Sequence, residues 1–170
     1  MRVVLQRVLE ASVTVEGAVV GKIDRGLLCL VGISRSDTVD ELQWVQNRIL
    51  GARLWDDGKS GQRWKKSVKD LKLGLLMVSQ FTLHGFFKGN KPDFHNSMGG
   101  DGARALFDEL VERLRKQLGP ELVQTGAFGE YMNVALVNDG PVTMVIDSEE
   151  RGKTPAATPA STPASTPTPK

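Results

Sequence analysis

The chain predicts an α+β fold in which an antiparallel, barrel-like sheet is covered by two packing helices. Three observations lead there. Short apolar segments near the N-terminus are separated by tight turns, the pattern of a meander. Two longer segments repeat apolar residues at helical spacing. Those two segments interrupt the strands without a strict strand–helix repeat, which disfavours a doubly wound parallel sheet.

Taken in order, Val13 and Val15 alternate with Ser12 and Thr14, and Glu16-Gly17 then offers a two-residue turn into residues 18–23. Asp24-Arg25-Gly26 turns the chain again into the apolar run 27–33. Thr38-Val39-Asp40-Glu41 has the spacing of a capping box, and Leu42, Val45 and Ile49 follow on one helical face. The run Gly74-Leu75-Leu76-Met77-Val78 reads as a buried strand that closes on Ser79-Gln80-Phe81-Thr82-Leu83. A second helix is expected from Asp101 to Leu118, with Phe107, Leu110, Val111, Leu114 and Leu118 in one stripe and Gly119-Pro120 as its stop. Two last strands, Val134–Val137 and Met144–Ile146, are joined by Asn138-Asp139-Gly140-Pro141-Val142-Thr143. A Gly-Pro step there reads locally as a turn with a trans bond.

The composition changes after residue 147. Five of the eight prolines lie in residues 148–170, spaced by Thr, Ala and Ser with no aromatic or branched aliphatic residue. Such a segment has nothing to bury against its ordering entropy. The expected organisation is therefore one domain over residues 1–147 and a disordered tail over 148–170.

The charge divides along the same line. Arg151, Lys153 and Lys170 account for the excess, and residues 1–150 hold 19 basic and 20 acidic side chains. A body without excess positive charge is not a general nucleic-acid coat, so any contact with nucleic acid is local. The single cysteine, Cys29, excludes an internal disulfide and sits in an apolar run as a small core residue. No apolar run approaches the ~20 residues of a membrane span and no signal-peptide shape opens the chain, so the expected compartment is the cytosol.

Polar groups at two strings, Ser79-Gln80-Phe81-Thr82-Leu83 and Asn138-Asp139-Gly140-Pro141-Val142-Thr143, carry the chemistry. In an extended strand Gln80 and Thr82 share one face while Ser79 and Phe81 share the other. Thr82 is a weak nucleophile without a base, and neither His84 nor His95 has an acidic partner at a telling spacing, so a hydroxyl–histidine–acid triad is poorly supported. On local chemistry alone Gln80 and Thr82 read as the polar end of a strand. Gly99-Gly100-Asp101-Gly102 precedes a helix without a leading strand or a following Gly-Lys-Ser/Thr, and reads as a loop with a helix cap. No close-spaced His/Cys set supports a metal, and no cofactor is expected.

The two strings together resemble the paired signature of D-aminoacyl-tRNA deacylases. The resemblance runs over about residues 1–147 and includes Met1-Arg2-Val3-Val4-Leu5-Gln6-Arg7-Val8, Ser67-Val68-Lys69-Asp70, Lys88-Gly89-Asn90-Lys91-Pro92 and Thr125-Gly126-Ala127-Phe128-Gly129 with Met132. Leu83-His84-Gly85-Phe86-Phe87 departs from the small, polar stretch usual at that place. The resemblance implies the family's fold and hydrolysis of the ester joining a D-amino acid, or glycine, to tRNA. It implies a metal-free homodimer with a cis Gly140-Pro141 bond inserted into the partner's aminoacyl pocket, where its carbonyls exclude an L side chain. Arg7 resembles the arginine that holds this motif by hydrogen bonds to carbonyls. Ser79, Gln80, Phe81 and Thr82 become the catalytic candidates, with the backbone N–H groups near Phe81 and Thr82 stabilising the oxyanion. Met132 and Phe128 fit a pocket or the core, and Lys88 and Lys91 are the candidate tRNA contacts. Two other readings stay open: a nucleic-acid-associated binding module on the same scaffold, and a sibling deacylase acting on mischarged L-aminoacyl-tRNA through a trans Gly-Pro.

Overall fold

The computed structural model describes residues 1–152. It opens with a long strand, β1 (Arg2–Val15), turned by Glu16-Gly17 into β2 (Ala18–Ile23) and followed by β3 (Gly26–Gly32). Both turn residues have positive φ, 48° and 83°, as the two-residue turn requires. Helix α1 (Val39–Gly51) starts at Thr38, and the full capping box forms: Glu41 accepts from the Thr38 N–H, and the Thr38 hydroxyl accepts from the Asp40 N–H. A small hairpin follows, β4 (Arg53–Trp55) and β5 (Lys66–Ser67), then a single helical turn, α2 (Val68–Leu71). Next come β6 (Gly74–Ser79), a 3₁₀ turn Phe81–His84, and a second hairpin, β7 (Phe86–Lys88) and β8 (Lys91–Asp93). Helix α3 (Gly100–Leu118), β9 (Val123–Thr125) and the long β10 (Asn133–Asp147) complete the body.

The main sheet has the order β10-β1-β3-β6-β9, with β2 also paired to β1. Antiparallel pairing holds for β1 with β10, β2 and β3. It fails at β3/β6 and β6/β9, which are parallel. The reason is connectivity: parallel neighbours need a crossover, and α1 and α3 lie in the chain segments that cross. The sheet is therefore mixed and nearly closed. A Cβ at Gly21 of β2 would lie 2.2 Å from the Thr125 carbonyl oxygen of β9, so the missing side chain is what lets the two edges meet.

Two cores result. Alternate residues Val3, Leu5, Leu27, Cys29, Leu75 and Met77 pack outward beneath α1 and α3. Their neighbours Val8, Ala11, Val13, Leu28, Leu76 and Val78 form a second cluster on the other face. Strands β3 and β6 are thus buried on both faces, and this is why they read as continuous apolar runs. Each fully buried Leu or Val contributes roughly 1.5–3 kcal/mol. Cys29 is fully buried, and burial holds its thiol well above the ordinary range, consistent with a packing role.

Two expectations change. Residues 133–147 form one continuous strand, where a turn between two strands was expected at Asn138–Thr143. After β10, Ser148–Glu150 make a 3₁₀ turn in which Ser148 is buried and its N–H donates to the Met1 carbonyl, so the packed body runs past residue 147. Residues 153–170 of the expected tail lie outside the described residues. Among the described residues no helix is long and apolar enough to cross a membrane.

Candidate functional site

The end of β6 makes one side of a cavity of about 440 Å³. Val31 and Val78 supply apolar lining, Ser79, Gln80 and Phe81 the polar edge, and Phe128, Tyr131 and Met132 the opposite wall. Each piece is positioned by a local cause. The Gln80 N–H donates to the Val31 carbonyl at 2.8 Å, which extends the β3/β6 ladder one residue past the strand. The Phe81 carbonyl accepts from the Ser97 hydroxyl at 2.8 Å, and the Phe81 ring meets Phe94 edge-on at 5.1 Å. Across the cavity Phe128 packs against Phe107 at 5.6 Å, while the Arg104 guanidinium lies 5.2 Å from its ring and donates to its carbonyl at 3.1 Å. Gly126 makes room for Met132: a Cβ there would come within 2.6 Å of the Met132 sulfur.

The strand alternation expected for Ser79 to Thr82 does not continue through the string. The chain leaves β6 after Ser79 and enters the 3₁₀ turn at Phe81. Gln80 and Thr82 nevertheless meet, because the turn brings the Gln80 amide to 2.5 Å from the Thr82 hydroxyl oxygen, to which it donates. The first N–H groups of such a turn have no partner within it. Among the described residues the Phe81 and Thr82 N–H groups donate to nothing; Phe81 lines the cavity, and Thr82, the next residue along the turn, is exposed outside its lining. Arg2 fixes the far end of the turn by donating to the Leu83 carbonyl at 2.7 Å while pairing with Asp147.

The histidines differ from expectation in one respect. His95 does find an acid: its Nδ1 lies 2.5 Å from Asp93, whose carboxyl is held far below the usual range by Lys88 first and by His95 next. Among the described residues no hydroxyl is hydrogen-bonded to either histidine, so no triad forms. His84 is buried and its Nε2 has no partner among the described residues. Burial lowers its pKa, against a hydrogen bond to Gly32 that raises it. The same described residues contain no cluster of three His, Cys, Asp or Glu side chains that could hold a metal ion.

The remaining expected site residues stand apart from the cavity. Gly140-Pro141 lies mid-strand in β10, exposed, with a cis bond and with Gly140 at φ 121°. The β1/β10 register passes from Gln6 opposite Thr143 to Val8 opposite Asn138, so Asp139, Gly140, Pro141 and Val142 stand against Arg7 alone. Arg7 grips this bulge: its Nε donates to the Asp139 carbonyl at 3.2 Å and pairs with the Asp139 carboxylate, while a terminal nitrogen donates to the Leu54 carbonyl. Around the bulge the outer surface is apolar and exposed at Leu9, Val137, Met144 and Val145. Lys88 is paired with Asp93 at 2.8 Å and Lys91 is exposed on the same hairpin; neither lines the cavity.

Of the expected residues, Ser79, Gln80, Phe81, Phe128 and Met132 line the cavity and Thr82 is exposed outside it, while Val31, Val78 and Tyr131 line it without having been singled out in the sequence. Tyr131 is 88% exposed beside Met132, and an isolated exposed tyrosine has no periodicity by which to be found.

Comparison with known proteins finds relatives over most of the chain. The family model described as D-Tyr-tRNA(Tyr) deacylase matches residues 4–147. D-aminoacyl-tRNA deacylase 1 of Leishmania major is 47% identical over 151 residues, covering 89% of this chain and 99% of the relative. The human protein of the same name is also 47% identical, over 89% of this chain and 72% of its own length. Among solved structures, one titled c-Myc DNA Unwinding Element Binding Protein superposes with a TM-score of 0.82 at 47% identity, over 86% of this chain and 98% of its own. A probable eukaryotic D-amino acid tRNA deacylase shares the fold at 19% identity, with a TM-score of 0.74 over 85% of this chain and 97% of its own. The match over residues 4–147 and the 47% identity with a relative covered almost end to end show that the chain belongs to the D-Tyr-tRNA(Tyr) deacylase family.

Proposed function

We propose that this protein hydrolyses the ester of D-aminoacyl-tRNA, and of glycyl-tRNA, and rejects the L-aminoacyl ester. The observation that carries the reading is the cavity walled by Ser79, Gln80 and Phe81, with the amides of Phe81 and of the adjoining Thr82 unpartnered among the described residues, in a member of this family. Water adds to the ester carbonyl, and its developing oxyanion is met by the Phe81 and Thr82 N–H groups. The C–O bond to the terminal ribose breaks, the ribose oxygen takes a proton, and the free amino acid and tRNA leave. The neighbouring ribose hydroxyl relays that proton, so positioning replaces a protein nucleophile. Thr82, whose oxygen already accepts from Gln80, orients the turn. Ser79 and Gln80 line the amino-acid end, and Phe128 and Met132 take the apolar side of the substrate.

Selectivity in this reading comes from a homodimer. Gly140-Pro141 does not reach the cavity of its own chain, and the exposed apolar surface around it fits a second copy. The bulge enters the partner's cavity and its backbone excludes a side chain of L configuration, whereas glycine has none to exclude. The same reading places the reaction with charged tRNA in the cytosol. It needs no metal.

The relative titled a DNA-unwinding-element binding protein favours one other reading, a nucleic-acid binding module on this scaffold. One assay separates the two: hydrolysis of D-, L- and glycyl-tRNA with and without chelator. Loss of the D and glycyl esters alone, untouched by chelator, is the expected result. Loss of the L ester would point to a deacylase of opposite selectivity, and no turnover on any ester would leave the binding module.

A further inference from the structure

We infer that the β4–β5 arm, with Trp64 at its centre, is the surface that docks the single-stranded acceptor end of the tRNA substrate. Three independent observations carry it. The first is charge: residues 53–70 hold six Lys/Arg against three Asp, in a body where residues 1–150 have one more acid than base. Among the described residues Lys59, Arg63 and Lys65 enter no ion pair and are exposed, whereas the arm's carboxylates are used locally. Asp56 accepts from the Trp64 N–H, and Asp57 accepts from Ser60 and from the Lys59 N–H.

The second is Trp64 itself. It is 52% exposed and sits at φ 56°, a conformation that bulky side chains rarely adopt. The backbone is pinned there on both sides, by the bond to Asp56 and by the Lys65 N–H donating to the Trp55 carbonyl at 2.8 Å. The strained backbone thus presents an indole to solvent, with the exposed cations Arg63 and Lys65 next to it in the sequence. An aromatic face flanked by Arg and Lys is what a sequence-tolerant single-stranded nucleic-acid site uses, stacking on a base while the cations follow the phosphates.

The third is location. Arg7 bridges the Leu54 carbonyl, at the root of the arm, to Asp139 beside Gly140. The arm therefore travels with the Gly140-Pro141 bulge. On the functional reading above, on which this inference rests, both reach the partner's cavity, where the aminoacylated end enters.

The test compares Trp64→Ala, Trp64→Phe and the double variant Arg63→Ala/Lys65→Ala with the wild type on D-aminoacyl-tRNA and on the matching D-aminoacyl-adenosine. Trp64→Ala is expected to raise KM for the tRNA about ten-fold with little change in kcat, and Trp64→Phe to restore most of it. The charge variant is expected to flatten the salt dependence of KM. Unchanged KM for tRNA in both variants overturns the inference, as does dissociation of the dimer by Trp64→Ala, which would make the indole a contact between copies. A wild type inactive on both substrates would instead sink the functional reading. Should Trp64→Ala fail to fold, the charge variant decides alone.

Discussion

The cavity beside Ser79–Phe81 and the Gly140-Pro141 bulge differ in what each one lacks. The cavity has apolar depth and a polar edge with the Phe81 amide unpartnered among the described residues, and Gly140-Pro141 of the same chain does not line it. The bulge is a backbone element gripped by Arg7, and it stands outside that cavity. The first is built by core packing and the second by a single charged side chain. On the proposed reading the cavity is a receptacle without a filter and the bulge a filter without a receptacle, and two copies meeting across the exposed apolar residues Leu9, Val137, Met144 and Val145 would make one complete site.

The largest effect is expected at the filter. Gly140 is at φ 121°, and a Cβ there would stand 2.9 Å from a Val142 methyl and 3.2 Å from the Arg7 guanidinium. Gly140→Ala should therefore displace the bulge and lower kcat/KM on D-aminoacyl-tRNA about 100-fold. A fall of less than three-fold in single-turnover hydrolysis would detach the bulge from the chemistry.

Next comes Arg7→Lys, which keeps the charge and loses the fork that spans Leu54 and Asp139. Turnover should drop about ten-fold, and glycyl- and L-aminoacyl-tRNA should become less well separated from each other in matched rates. A variant with wild-type selectivity would show that the grip on Asp139 is only structural.

At the receptacle, Thr82→Ala removes an acceptor for Gln80 but leaves both amides in place. It should cost less than about ten-fold in kcat. A folded Thr82→Ala that binds substrate and does not turn over would replace ribose assistance with hydroxyl chemistry.

The smallest effect concerns the turn between the two regions. Burial depresses the His84 pKa, so the unfolded chain binds a proton more readily than the folded one. Its contribution to stability is full above the ordinary histidine value of 6.5 and is lost as pH falls below it toward the folded value. His84→Gln should flatten the pH dependence of thermal unfolding on the acid side, and a slope unchanged by the substitution would assign it to other groups.

Local signals in the sequence transmitted well. The Thr38 capping box, the Glu16-Gly17 turn and the α3 stripe are each written within one turn or one helix face, and each appears as expected. The short α2 carries the same kind of signal, Ser67 capping with Asp70, in a string noted only for its family likeness. Partner choice between strands was not legible, because the parallel β3/β6 and β6/β9 pairs depend on where distant helices cross. Nor was the continuity of β10, since a Gly-Pro step signals a turn locally, while the ladder with β1 on both sides of the bulge and the grip of Arg7, 132 residues from Asp139, are long-range. At the site, the apolar run ending in Ser79-Gln80-Phe81 was visible, and the 3₁₀ turn that brings Gln80 to Thr82 was not.

Subunit complementation tests the central claim most directly. Gly140→Ala spoils the filter, and Phe81→Asp places a carboxylate against the developing oxyanion and spoils the receptacle. If the site is assembled from two chains, refolding the two inactive variants together gives mixed dimers with one intact site of two, and about a quarter of wild-type activity on D-aminoacyl-tRNA returns. No recovery, with mixed dimers shown to form, would contradict it.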